Sequence, residues 1–132
     1  MPHWSDKYIG RAYVLESYDC ATLAQEIAKN EFGIDAKLPI DHGKNSIGHQ
    51  RQFIRYQSEI ASLIAENELR DGDLVLMISC GRINHVGVYY RDNHIEWVIH
   101  NASNVGSVIR TRLRSLSVIG YQIEGFYRWK TR

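Results

Sequence analysis

Apolar residues first recur at helical spacing between Cys20 and about Phe32, where Ala21, Leu23, Ala24, Ile27 and Ala28 form one stripe. Asp19 stands where a helix N-cap belongs and Gly33 where a left-handed residue ends one. Pro39, Asp41 and Gly43 break the pattern, so Ile34 to Asn45 reads as a loop. Phe53, Tyr56, Ile60 and Leu63 step at helical intervals and predict a second helix over about Ser46 to Leu69. Asp71-Gly72-Asp73 is a turn signal, and the period then changes to that of strands. Leu74 to Ser79, His85 to Tyr90, Ile95 to His100, Val108 to Leu113 and a last run within Val118 to Trp129 are β-rich. Helices first and strands afterwards predict an α+β fold, its antiparallel sheet having about five strands.

The chain has 132 residues, one domain's length, and is expected to form a single domain over 1–132. Its 44% hydrophobic and 11% aromatic content supplies enough apolar area for a core. Lys plus Arg is 16 against 15 Asp plus Glu, a balance that argues against a dedicated nucleic-acid binder or a lipid-surface protein. The longest apolar run, Leu74 to Ile78, is far too short to cross a bilayer. The first residues lack the blocks of a signal peptide, so a cytoplasmic location at synthesis is expected. Two cysteines, Cys20 and Cys80, make no disulfide framework, and the ordinary fate of each is a buried apolar thiol.

Candidate chemistry changes the picture at Cys20. A cysteine in the first turn of a helix sits among free N–H groups at the positive end of the dipole, which favours thiolate and predicts a pKa below about 8.5. The same N–H groups are placed to stabilise an oxyanion. If Asp92-Asn93 is a two-residue hairpin loop, paired positions set His85 directly opposite His100, on one sheet face. Two chemistries then stand open. In one, His85 deprotonates Cys20 and His100 fixes its tautomer. In the other, Cys20, His85 and His100 form a metal set, although no acidic residue or short ligand pair stands near either histidine. The plain alternative is a pair of partly exposed strand histidines.

At this point the residues show a family likeness. Tyr18-Asp19-Cys20-Ala21-Thr22-Leu23 resembles the Asp-Cys-x-x-Leu nucleophile motif of NlpC-type cysteine peptidases. Gly10-Arg11-Ala12-Tyr13 is similar to that family's Gly-x-Pro-Tyr approach, and Gly72-Asp73-Leu74-Val75 to its Gly-Asp-Leu-Val strand start. Asn84-His85-Val86-Gly87-Val88-Tyr89, Ile99-His100-Asn101-Ala102 and Gly125-Phe126-Tyr127-Arg128 resemble three later segments, in order. Ala12, Ala21 and Glu16-Ser17-Tyr18 depart from the family pattern, and these departures bear on the substrate subsite.

The resemblance implies a papain-like core, with a cysteine-bearing helix packed on an antiparallel sheet. It implies Cys20, His85 and His100 as the catalytic residues, with Tyr13 as a candidate for the oxyanion or substrate. Asp19 is a candidate for a substrate amine as well as the helix cap. It implies hydrolysis of peptidoglycan stem peptides, commonly between D-glutamate and the diamino acid, with no cofactor and no metal. The compact form is similar to members encoded with phage tail modules, which would make tail proteins partners and the virion tail a location. A tail-structural or wall-binding module of the same fold, and a non-wall amidase or acyltransferase, are the competing functions. Cys80 reads as structural, His3, His42, His49 and His94 as solvated, and Arg110, Arg112 and Arg114 as one solvated strand face.

Overall fold

The computed structural model describes residues 3–15, 17–35 and 60–130. Helix α1 spans Cys20–Phe32. The strands are β1 (Ala61–Ile64), β2 (Leu74–Ser79), β3 (Arg82–Asp92), β4 (Ile95–Ala102), β5 (Ser107–Arg112) and β6 (Gln122–Trp129). They form one sheet of six strands in the order β1-β6-β2-β3-β4-β5, with every neighbouring pair antiparallel. Short 3₁₀ segments lie at Trp4–Tyr8, Glu66–Glu68 and Leu113–Ile119.

Helix α1 forms where its sequence pattern places it. The Asp19 carboxylate accepts the Thr22 N–H at 3.0 Å, which satisfies a donor that the first turn leaves free. Gly33 takes φ 69, a left-handed conformation that costs a glycine little, and ends the helix. The apolar stripe of α1 packs on one face of the sheet, against Leu74, Leu76, Val86, Val88, Tyr90 and Ile99. Val75, Met77, Tyr89, Val98 and Phe126 point to the opposite face, where Leu113, Leu116 and Tyr121 cover them. Because both faces are covered, β2 is apolar at successive positions instead of alternating.

The predicted second helix does not hold at its C-terminal end. Ala61–Ile64 is instead the edge strand β1, paired with Phe126 to Trp129 of β6, which makes six strands rather than five. In β1 only Ala61 is buried, while Leu63 is 69% exposed, so the helical spacing of apolar residues there does not describe a buried face. Over Ala61–Ile64, pairing with β6 outweighs the helical spacing of the sequence. The rest of that prediction, with Phe53, Tyr56, His42 and His49, lies outside the described residues.

Two of the motifs meet across the sheet. The Asp73 carboxylate, fully buried, accepts Arg128 Nε at 2.9 Å and Nη2 at 2.8 Å, and also the Arg70 N–H at 2.8 Å. Arg128 donates further to the Glu68 carbonyl. This fork ties β6 to the turn that starts β2. Arg128→Ala leaves a buried carboxylate without its cation, and urea denaturation should show a loss of about 3–5 kcal/mol.

Candidate functional site

The start of α1 is wedged into a fork between β3 and β4. Their ladder runs from Asp92↔Ile95 to Val88↔Ile99 and stops there. Beyond it, the Val86 N–H points at Cys20 Sγ, as do the N–H groups of Ala21 and Cys20 itself. On the other prong, Asn101 Nδ2 donates to the Tyr18 carbonyl at 2.7 Å. The residue next to His85 thus lies against the sulfur, and the strand carrying His100 holds the segment leading to it. Cys20 and His85 line one cleft of about 200 Å³, together with Tyr13, Asp19, Asn84 and Tyr121.

The hairpin turn lies one residue later than its sequence suggests. Asp92 pairs with Ile95, and Asn93 and His94 form the loop with φ 51 and 65. Such a turn needs positive φ at both central residues, which suits Asn93 better at its first position than Asp92. The register moves by two, so His85 and His100 are diagonal rather than directly opposite. A shift of two preserves the face, and a diagonal imidazole pair is within reach. His85 Nε2 and His100 Nδ1 are 2.8 Å apart, with ring centroids at 5.0 Å. A bulge helps to aim His85: Met77 pairs with His85 but Ile78 with Ile83, leaving Asn84 as the extra residue. Gly87 is needed on the same face, since a Cβ there would lie 2.5 Å from Val98 Cγ1 and 3.1 Å from the Ile99 carbonyl.

A third group continues the chain. His100 Nε2 lies 3.0 Å from Thr111 Oγ1. If His100 donates from Nε2 to Thr111, its Nδ1 accepts the His85 Nε2–H. Nδ1 of His85 is then the lone pair left for the cleft, the tautomer a base requires. The two imidazoles bond to one another and do not converge on a common point as metal ligands would. Among the described residues, no group of three His, Cys, Asp or Glu side chains is spaced to hold a metal ion.

Burial sets the charge state. It pushes the Cys20 thiol up to about 12, with Asp19 adding to the effect and the three N–H groups opposing it. This corrects the expectation of a depressed pKa: the helix N-terminus acts as foreseen, but desolvation of a residue only 6% exposed outweighs it. Burial, then the neighbouring His100, holds His85 well below its ordinary range, and burial lowers His100 to about 4. The resting cleft therefore holds a neutral thiol and a neutral imidazole. Cys80 is exposed in the β2–β3 turn with φ 54, not a buried structural thiol. Iodoacetamide at neutral pH should therefore label Cys80 before Cys20, the reverse of the order a depressed Cys20 would give, as peptide-resolved mass spectrometry will read.

The same burial predicts acid sensitivity. Unfolded histidine titrates near about 6.5, so below that pH the unfolded chain binds more protons than the folded one. Stability should fall as pH drops below that value and keep falling to about 4, where folded His100 protonates. Urea midpoints measured across this range check it.

The remaining candidates scatter. Tyr13 lines the cleft, and burial, then Cys20 and Asp19, raise its pKa, so the phenol stays a donor. Asp19 lines the cleft and caps α1. His3 is not a free solvated side chain: it caps the first 3₁₀ segment and stacks on Tyr90 at 4.4 Å. His94 is exposed in the hairpin turn. The arginines do not form one solvated strand face. Arg110 pairs with Asp6, Arg112 lies over the Trp97 ring, and Arg114 belongs to the 3₁₀ segment after β5. Nothing local in the sequence singles out Thr111 or Tyr121. Thr111 alternates with Arg110 and Arg112 along its strand, and only the β4–β5 register reveals what its face meets.

The model of the NlpC/P60 family matches residues 7–119. No curated protein matches the chain. No helix among the described residues is long and apolar enough to cross a membrane.

Proposed function

The chain belongs to the NlpC/P60 family of cell-wall cysteine peptidases, and from that premise we propose that it hydrolyses an amide bond of peptidoglycan stem peptides, between D-glutamate and the diamino acid, using Cys20, His85 and His100. The observation that carries the reading is the ordered pair of imidazoles, 2.8 Å apart, opening on the cleft that holds Cys20 at a capped helix start.

The chemistry follows from the neutral resting pair. As Sγ of Cys20 attacks the amide carbon, its proton passes to Nδ1 of His85. His100 keeps the ring in place by accepting the Nε2–H, and Thr111 holds His100. The Tyr13 hydroxyl is a donor for the oxygen that gains charge. Collapse gives a thioester, and His85 delivers its proton to the departing amine. Water then attacks the thioester, passing a proton to His85. The acid leaves, and Cys20 recovers its proton. Among the described residues, Asp19 is the one carboxylate lining the cleft, which suits a substrate with a free amine near the scissile bond. No cofactor enters any step.

A second reading has an observation of its own. A thiol pushed up to about 12 and nearly inaccessible suits a wall-binding module with little catalysis. Incubation of the protein with purified muropeptides, followed by mass spectrometry, separates the two. Paired fragments gaining one water at the D-glutamyl bond are expected. Intact muropeptides, with protein retained on sacculi, would establish the binding module instead.

A further inference from the structure

Tyr121 has no role in the steps above, yet its ring lies in direct contact with the base. Its ring stacks on His85, with centroids 4.5 Å apart and planes 20° from parallel. The same ring meets His100 edge-on, at 5.4 Å and 87°. Its hydroxyl donates to Asn104 Oδ1 at 2.8 Å, and Asn104 Nδ2 reaches the Ile119 carbonyl. The Tyr121 N–H is held by the Leu116 carbonyl. The ring is therefore fixed at both ends, is 4% exposed, and forms a wall of the cleft.

A buried imidazole that accepts a proton needs something to stabilise the cation. Among the described groups packed on His85, none is anionic in the resting state and in direct contact. His100 is neutral and hydrogen-bonded, and Cys20 is a thiol until it reacts. Tyr13 and Tyr121 are phenols; Tyr121 is raised to about 12 by burial, so both remain protonated at neutral pH. Asp19 lines the same cleft, and its carboxylate is engaged with Thr22. Cys80 sits exposed at the β2–β3 turn. What His85 does have is the face of an aromatic ring, whose negative quadrupole attracts a cation above it.

We propose that Tyr121 is a positioning residue for the reaction: it stacks on His85 to hold the ring against the cleft and stabilises it while it carries the Cys20 proton. The proposal rests on the reading of Cys20 and His85 as nucleophile and base. It attributes the effect to the ring face and not to the hydroxyl, so phenylalanine should serve and an aliphatic side chain should not.

Alkylation of Cys20 tests this without requiring any substrate. Iodoacetamide reacts with the thiolate, which near neutral pH forms by passing its proton to His85 and at strongly alkaline pH forms without it. Rates for Cys20 are read by peptide-resolved mass spectrometry in wild type, Tyr121→Phe and Tyr121→Leu, with circular dichroism to confirm folding. Tyr121→Phe should stay near the wild-type rate throughout. Tyr121→Leu should react about tenfold more slowly at neutral pH, with the gap closing at alkaline pH. A residue that only fills space gives the opposite sign, because its removal opens the cleft and speeds alkylation at every pH. Faster or unchanged alkylation in Tyr121→Leu, or equal slowing at both pH values, overturns the proposal. If Tyr121→Leu does not fold, Tyr121→Met, close to it in size and also without a ring, replaces it with the same expectations. On muropeptides, Tyr121→Leu should lower kcat about tenfold and leave KM unchanged. A wild type inactive on muropeptides defeats the hydrolase reading alone, and the alkylation result still decides the role of Tyr121.

Discussion

Cys20→Ala should abolish the proposed muropeptide cleavage and leave the fold standing. The substitution removes one atom, the attacking sulfur, and no other thiol lines the cleft among the described residues. The loss should reach at least about 10⁴-fold, leaving only what substrate binding and oriented donors supply. Stability should change by about 1 kcal/mol, because the deleted volume is small and α1 keeps its Asp19 cap. The measurement is product release from a defined stem peptide, with a denaturation curve on the same preparation. A folded Cys20→Ala protein that cleaves at the wild-type rate rules out the cysteine mechanism.

His85→Ala should be nearly as severe, at about 10²–10⁴-fold in kcat/KM. Its consequence is sharpened by the neutral resting pair. In a site that stored a thiolate, loss of the imidazole would leave a nucleophile in place; here burial keeps Cys20 protonated, so no thiolate forms without the base. The acylation step should then recover at alkaline pH, with the rate rising as hydroxide takes the proton. His100→Ala should cost less, because it orients His85 without meeting the substrate. Thr111→Val should cost less again, about five- to tenfold, the worth of one neutral hydrogen bond to the orienting ring. The double variant His85→Ala, His100→Ala should be no worse than His85→Ala alone, since the second residue acts through the first. Rates for the four variants on one stem peptide, with pH profiles, give the series. A His100→Ala protein as impaired as His85→Ala, with no alkaline recovery in either, would place His100 in direct contact with the reaction.

Much of this site was legible along the chain because its pieces are local. The boundaries of α1 depend on Asp19, Gly33 and an apolar stripe, all within one turn of where they act. β2 was a continuous apolar run bounded by a turn signal, and its buried strand has the same limits. The shared face of His85 and His100 survived a misplaced turn because strand side chains alternate with period two, and the error in register was also two. Ala61–Ile64 shows the limit of local pattern. A short helical spacing carries little information, and the pairing with β6, some sixty positions away, decided the element.

What only the tertiary structure decided is how far each group stands from water and from its neighbours. The sequence by itself determined the helix that presents Cys20, the strands that carry His85 and His100, and the side of the sheet they share. It could not determine that β3 and β4 part beyond Val88 and Ile99 to admit the start of α1, that Thr111 and Tyr121 close around the imidazoles, or that Cys20 is desolvated enough to stay a thiol. The physical reason is one of range. Caps, turns and periodicity are settled by residues within a few positions of each other, whereas burial and register sum contributions from strands distant in sequence, and a pKa depends on that sum.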